Sequence, residues 1–153
     1  MTITQSKSST VLSWIGVVFA APIVRWLALL GLCAAYLQGG IDKAMDFNGA
    51  VAETGHFGLA HAIPITLATI VVELAGSALI LTGFQRWAGA LVLAGFTLMA
   101  SFVASPFWSM PSAERQMAAN TFFEHLGLVG GFLLVAWHDL RDRLSRPPRE
   151  SQL

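Results

Sequence analysis

The chain has 153 residues, of which 55% are hydrophobic and only 12% charged, with a mean hydropathy of +0.64 and no formal net charge. A water-soluble domain carries roughly 25% charged residues, so this composition marks a membrane protein whose partner is the lipid bilayer, and the lack of a basic excess excludes nucleic acid. The single cysteine, Cys33, excludes an intramolecular disulfide and a paired-thiol redox site; inside an apolar run it reads as packing.

Residues 1–19 form an N-terminal segment whose apolar stretch, VLSWIGVVFAA, is shorter than a span. One lysine precedes it and FAAPIVR makes a poor cleavage site, so it reads as an interfacial helix or an extension of the first span, not a cleaved signal. An apolar helix needs roughly 20 residues to cross about 30 Å of hydrocarbon. Four segments approach that length: residues 20–41, 63–84, 87–105 and 121–138. The expected fold is therefore an all-α membrane protein, a four-transmembrane-helix bundle occupying residues 20–138. Gln85-Arg86 is the whole polar link between the second and third spans, which makes them a tight antiparallel hairpin. The first outer loop carries a short amphipathic pattern from Phe47 to about Thr54, placed to cap the bundle. Residues 139–153 are basic and contain proline, and read as a disordered tail.

With the N-terminus inside, seven lysines and arginines fall on the cytoplasmic side and two, Lys43 and Arg115, on the outside. That bias puts both termini in the cytoplasm. Phe107 and Trp108 then sit at the outer interface.

Small and polar residues mark the faces that helices turn toward one another in lipid. The second span carries Thr66, Thr69, Glu73, Gly76, Ser77, Ile80 and Gly83 at spacings of three and four. The first carries Ala28, Gly31, Ala35, Gln38, Gly39 and Asp42, and the fourth Asn120, Glu124, Gly127, Gly131 and His138. These three stripes are expected to face each other.

Charges within spans face a bundle interior or a cavity, because exposure at the bilayer centre costs at least about 2.5 kcal/mol each. Glu73 is the deepest. The orientation brings Asp42, Lys43, Glu124 and His125 into the same outer half of the bundle. Lys43 is the one lysine that can reach Glu73, directly or through water. The candidate binding residues are thus Lys43, Asp42, Glu73, Glu124, His125 and Trp108, and the candidates for proton chemistry are Glu73, Glu124 and His125. His56 and His61 are a weak pair for a metal, and none is expected.

The order of these features resembles the DoxX family of small four-helix bacterial membrane proteins, over residues 24–137. The resemblance rests on GGIDKAMDF at the end of the first span, VVELAGSALILTGFQRWAG across the second and third, the FW that follows, and LGLVGGFLLVAW in the fourth. By position, Gly40, Lys43, Glu73, Gly83 and Arg86 carry the family pattern. The chain departs from it at Glu124-His125, where many members have Lys-Asn, and at Ser105-Pro106, where many have histidines.

The resemblance implies a bacterial inner-membrane protein, a subunit or accessory of a quinone-linked redox or oxidative-stress complex. The chain has no redox centre of its own, so a quinone is the cofactor this reading allows. A redox protein or a second copy is the partner. Two alternatives stay open: a non-catalytic scaffold or small-molecule-binding module, and a small proton-coupled exporter.

Overall fold

The computed structural model describes residues 16–145. Most of the N-terminal segment and the last eight residues of the tail lie outside the described residues. Within them the chain is helical: α1 Pro22–Met45, α2 Phe47–His56, α3 Ala62–Thr82, α4 Arg86–Ala104, a 3-10 turn at Phe107–Ser109, and α5 Ser112–Leu144. Helices α1, α3, α4 and α5 are long and apolar enough to cross a membrane.

The ends of these helices have local causes. Pro22 forces Ala21 into an extended conformation, which separates α1 from a helical turn at residues 16–19. Helix α1 stops at Asp46, whose carboxylate accepts the Gly49 backbone N–H at 3.0 Å and so opens α2. Helix α3 ends where Gly83 adopts φ +81°, a left-handed conformation that costs glycine little. Three residues later α4 begins, giving the expected hairpin.

The fourth span differs from the sequence reading at both ends. Helix α5 starts nine residues before Thr121, because SAERQMAAN is rich in good helix formers although too polar to register as a span. It also runs on to Leu144, through residues expected to belong to the disordered tail. There Asp139 accepts from Arg143 Nε at 2.8 Å on its own helix and from the Trp87 backbone N–H at 3.3 Å on α4.

Packing follows side-chain size. In the α3–α4 hairpin, glycines set a close approach: a Cβ on Gly89 would lie 2.7 Å from the Gly76 carbonyl oxygen, and one on Gly76 would lie 2.8 Å from Leu93. Gly40 does the same for α1 on α3, where a Cβ would meet Leu74 at 2.8 Å. Helix α5 returns to α1 through bulkier groups. Tyr36 and Phe132 pack edge to face with centroids 5.3 Å apart, and Phe132 is fully buried with Ile80 and Leu93.

The inward face of α3 is the one read from the sequence: Thr66, Glu73, Gly76, Ser77 and Ile80 are buried. On α1 and α5 most of each small-residue stripe points the other way. Helix α1 buries Leu29, Cys33, Tyr36 and Gly40, while Ala28, Gly31, Ala35, Gln38 and Asp42 are exposed. Helix α5 buries Phe122, Phe132 and Ala136, and leaves Asn120, Glu124, Gly127 and His138 exposed. The stripes meet their neighbours only at two points: a Cβ on Gly39 would lie 3.8 Å from the Glu73 carboxylate of α3, and one on Gly131 would lie 3.1 Å from Leu32 of α1. Helices α4 and α5 pack extensively whereas α1 and α5 barely meet, and aromatic and thiol side chains fill the space between α1 and α5 where glycines would leave a void.

Candidate functional site

Helix α1 extends only five residues beyond Gly40, about 8 Å by helix rise, whereas α3 extends eleven beyond Glu73, about 16 Å. Gly40 lies beside Glu73, so α1 stops well short of the end of α3. Helix α2 fills the missing layer only partly. Thr66 of α3, itself buried, hydrogen-bonds Thr54 of α2 at 2.8 Å. The space left over is a partly open cavity of about 350 Å³ lined by α1, α2, α3, α4 and α5. That is within the range of small-molecule sites.

Lys43 and Glu73 form one wall. Lys43 Nζ donates to Glu73 Oε1 at 3.2 Å and Oε2 at 3.1 Å, and to the Gly39 carbonyl at 3.3 Å. The link expected between these two residues is therefore direct. Glu73 is buried and Lys43 half-buried, with its stem running from the end of α1. An ammonium has three protons, and all three are engaged.

Tyr36, Thr97 and His125, also in the lining, belong to a set of hydrogen bonds whose directions can be assigned. Thr97 Oγ1 donates to the Leu93 carbonyl at 2.6 Å, so the Tyr36 hydroxyl must donate to Thr97 Oγ1 at 2.5 Å. Ser101 Oγ donates to the Thr97 carbonyl at 2.6 Å. Its single hydrogen is then spent, and the 2.9 Å contact with His125 Nδ1 requires the ring nitrogen to donate. A neutral His125 is thereby fixed with its proton on Nδ1 and a free lone pair on Nε2. Among the described residues Nε2 has no protein partner.

Thr54 follows the same pattern. Its hydroxyl donates to the Ala50 carbonyl at 2.9 Å and so accepts from Thr66. Thr69 is the one lining hydroxyl without a partner among the described residues, free to donate or accept. Glu53, from α2, adds a carboxylate. The cavity thus presents acceptors, namely Glu53, the Tyr36 oxygen and His125 Nε2, and few uncommitted donors.

Of the residues singled out in the sequence, Lys43, Glu73 and His125 line this cavity. Asp42 does not; it is exposed and takes a hydrogen bond from Gln38 on the outer side of α1. Glu124 is exposed on the outer face of α5, one residue and about 100° round the helix from His125. No cluster of Glu73, Glu124 and His125 is assembled. Trp108 packs with Phe102, Phe107 and Phe122 in an aromatic group beyond the cavity.

Sequence reasoning missed Tyr36, Glu53, Thr54, Thr97 and Ser101. Tyr36 is the only tyrosine in the chain, within an apolar span, and that singularity was a usable signal. Thr97 and Ser101 stand four apart in α4, each bonding back along its own helix, which short hydroxyl residues do without reference to function. No group of three or more histidine, cysteine or carboxylate residues placed to hold a metal occurs among the described residues.

Four spans, a short capping helix and a charged pair at the centre define a small polytopic membrane protein with an internal cavity. The sequence model of the DoxX family matches residues 25–106, more than half of the chain. The chain belongs to the DoxX family and is an integral membrane protein. It is similar to the inner membrane protein YphA of Escherichia coli (strain K12), with 23% identity over 117 residues, covering 76% of this chain and 84% of that protein. No solved structure matches the chain.

Proposed function

We propose that this protein is the quinol-binding subunit or accessory of a quinone-linked redox complex in a bacterial inner membrane, with both termini in the cytoplasm. The observation that carries the reading is the donor count around the cavity. A quinol offers two hydroxyl donors. The cavity answers with acceptors, among them His125 Nε2, which carries the free lone pair in the neutral tautomer that the Ser101 contact at Nδ1 selects.

Bound there, a quinol would supply two electrons and two protons and leave as a quinone. His125 Nε2 can accept one proton as a general base, and the Glu53 carboxylate of α2 can accept another. Lys43 and Glu73 hold one wall of the cavity rigid, since each satisfies the other's charge. The chain carries no electron acceptor among its own side chains, so the electrons pass to a partner protein. The membrane location agrees with the name of the Escherichia coli relative and with the lysine and arginine bias.

A second reading has its own support. Glu53 also suits an amine, and apart from Thr69 and the free acceptors the polar groups round the cavity satisfy one another. Both fit a non-catalytic module that binds a hydroxyl- or amine-bearing molecule.

The test uses protein purified in mild detergent. Lipid extraction and mass spectrometry report any retained quinol or quinone, and tryptophan fluorescence follows titration with a short-chain benzoquinol and its oxidised form. The quinol is expected to bind at least about tenfold more tightly than the quinone, a difference set by one good hydrogen bond to a buried acceptor. His125→Leu should abolish that preference. Equal binding of both forms, unchanged by His125→Leu, removes the quinol reading. Selective binding of an aliphatic amine, lost in Glu53→Gln, establishes the second.

A further inference from the structure

A second cleft of about 380 Å³ lies at the opposite end of the bundle, between α1, α4 and α5. Arg25, Arg86, His138 and Asp142 line it, with the hydrocarbon of Leu29 and Leu134 below them. The proposed quinol site does not account for it, and of its lining only Arg86 is among the positions that carry the family pattern.

Arg86 is held in place there. Its Nε donates to the Ile80 carbonyl at 2.8 Å, one of the orphan acceptors at the end of α3. The guanidinium folds over Gly83, where a Cβ would lie 3.0 Å from Nη2. One edge of the guanidinium is thus spent on the backbone, and its terminal nitrogens remain available. The nearby carboxylate that would pair with it is occupied: Asp139 takes Arg143 and the Trp87 backbone N–H. Among the described residues, neither Arg25 nor Arg86 forms an ion pair.

Two unpaired arginines and Asp142 leave one net positive charge with His138 neutral. We propose that this cleft binds the phosphodiester headgroup of an anionic phospholipid. A phosphodiester carries one negative charge and planar-fork acceptors that suit arginine. Basic clefts between spans on the cytoplasmic side are where such headgroups settle. The acyl chains continue along hydrocarbon of the cleft wall that the fold leaves uncovered on the core side of the arginines: Leu134 is 62% exposed. Inorganic phosphate would meet the arginines but leave that apolar wall unused.

Thermal unfolding of the detergent-solubilised protein tests this. Added phosphatidylglycerol is expected to raise the Tm by about 5 °C, and phosphatidylcholine of the same chain length to leave it unchanged. Arg25→Gln should weaken the phosphatidylglycerol effect about fivefold in half-maximal concentration, and Arg25→Gln with Arg86→Gln should abolish it. Arg25 is exposed and its side chain makes no hydrogen bond within the described protein, so its variant keeps the fold. The wild-type comparison stands even if the double variant does not. An equal rise with both lipids, the same rise with inorganic phosphate alone, or a rise unaffected by Arg25→Gln would overturn the proposal.

Discussion

The α3–α4 hairpin and the pair formed by α1 and α5 are built on opposite rules. In the hairpin, small residues face inward and the backbones nearly touch, as at Gly76 and Gly89. In α1 and α5, most small residues face outward, Gly40 and Ala136 excepted, and Tyr36, Cys33, Phe122 and Phe132 face inward. Distance explains the difference. A three-residue turn, Gly83–Gln85, ties α3 and α4 together, and only glycine fits between helices that close. Helices α1 and α5 are far apart in the chain and span a wider gap, which volume must fill.

The comparison can be broken by substitution. The largest effect is expected on the inward face of α3. Glu73→Gln strands the Lys43 ammonium and should cost about 3 kcal/mol, read as loss of detergent-soluble monomer and a lower Tm; Glu73→Gln with Lys43→Met should recover much of it. An additive double variant would show that the pair is not coupled. Next comes Gly89→Val, which forces a side chain against the Gly76 carbonyl and should cost about 1–3 kcal/mol in thermal unfolding. Tyr36→Phe should cost about 1 kcal/mol, since it removes one buried hydrogen bond and leaves Thr97 an unfilled acceptor. The smallest effect belongs to the outward stripes. A Cβ at Gly31 or Gly127 would meet nothing within 4 Å, so Gly31→Leu and Gly127→Leu should stay within about 0.5 kcal/mol of wild type. A large loss from either would mean that those faces are covered in the membrane.

The same contrast explains what the sequence could reveal. Span number, the hairpin and the capping helix follow from hydropathy, a two-residue link and a local amphipathic pattern, and all are present. Lys43 and Glu73 were legible because a charge in hydrocarbon needs a partner and only one lysine lay within reach. Asp42 and Glu124 misled because small and polar residues were taken to mark the inward face on every helix. On α1 and α5 that assumption is wrong by about one residue, or 100° of rotation. The hydroxyl chain through Thr97 and Ser101 was not legible, because those residues bond to their own helix as readily as to a neighbour.

The ion pair also bears on how the chain enters the bilayer. A segment carrying Glu73 is costly to insert alone, by about 2.5–3.5 kcal/mol for the charge. Helix α1 precedes α3 in the chain, so the Lys43 ammonium is already at hand when α3 is synthesised. Integration of α3 is then cooperative with a segment made earlier. We expect Lys43→Met to lower the fraction of α3 that inserts in a glycosylation-mapping assay, and equal insertion with and without Lys43 would disprove the coupling. The order of the two charges along the chain thereby becomes a device of biogenesis.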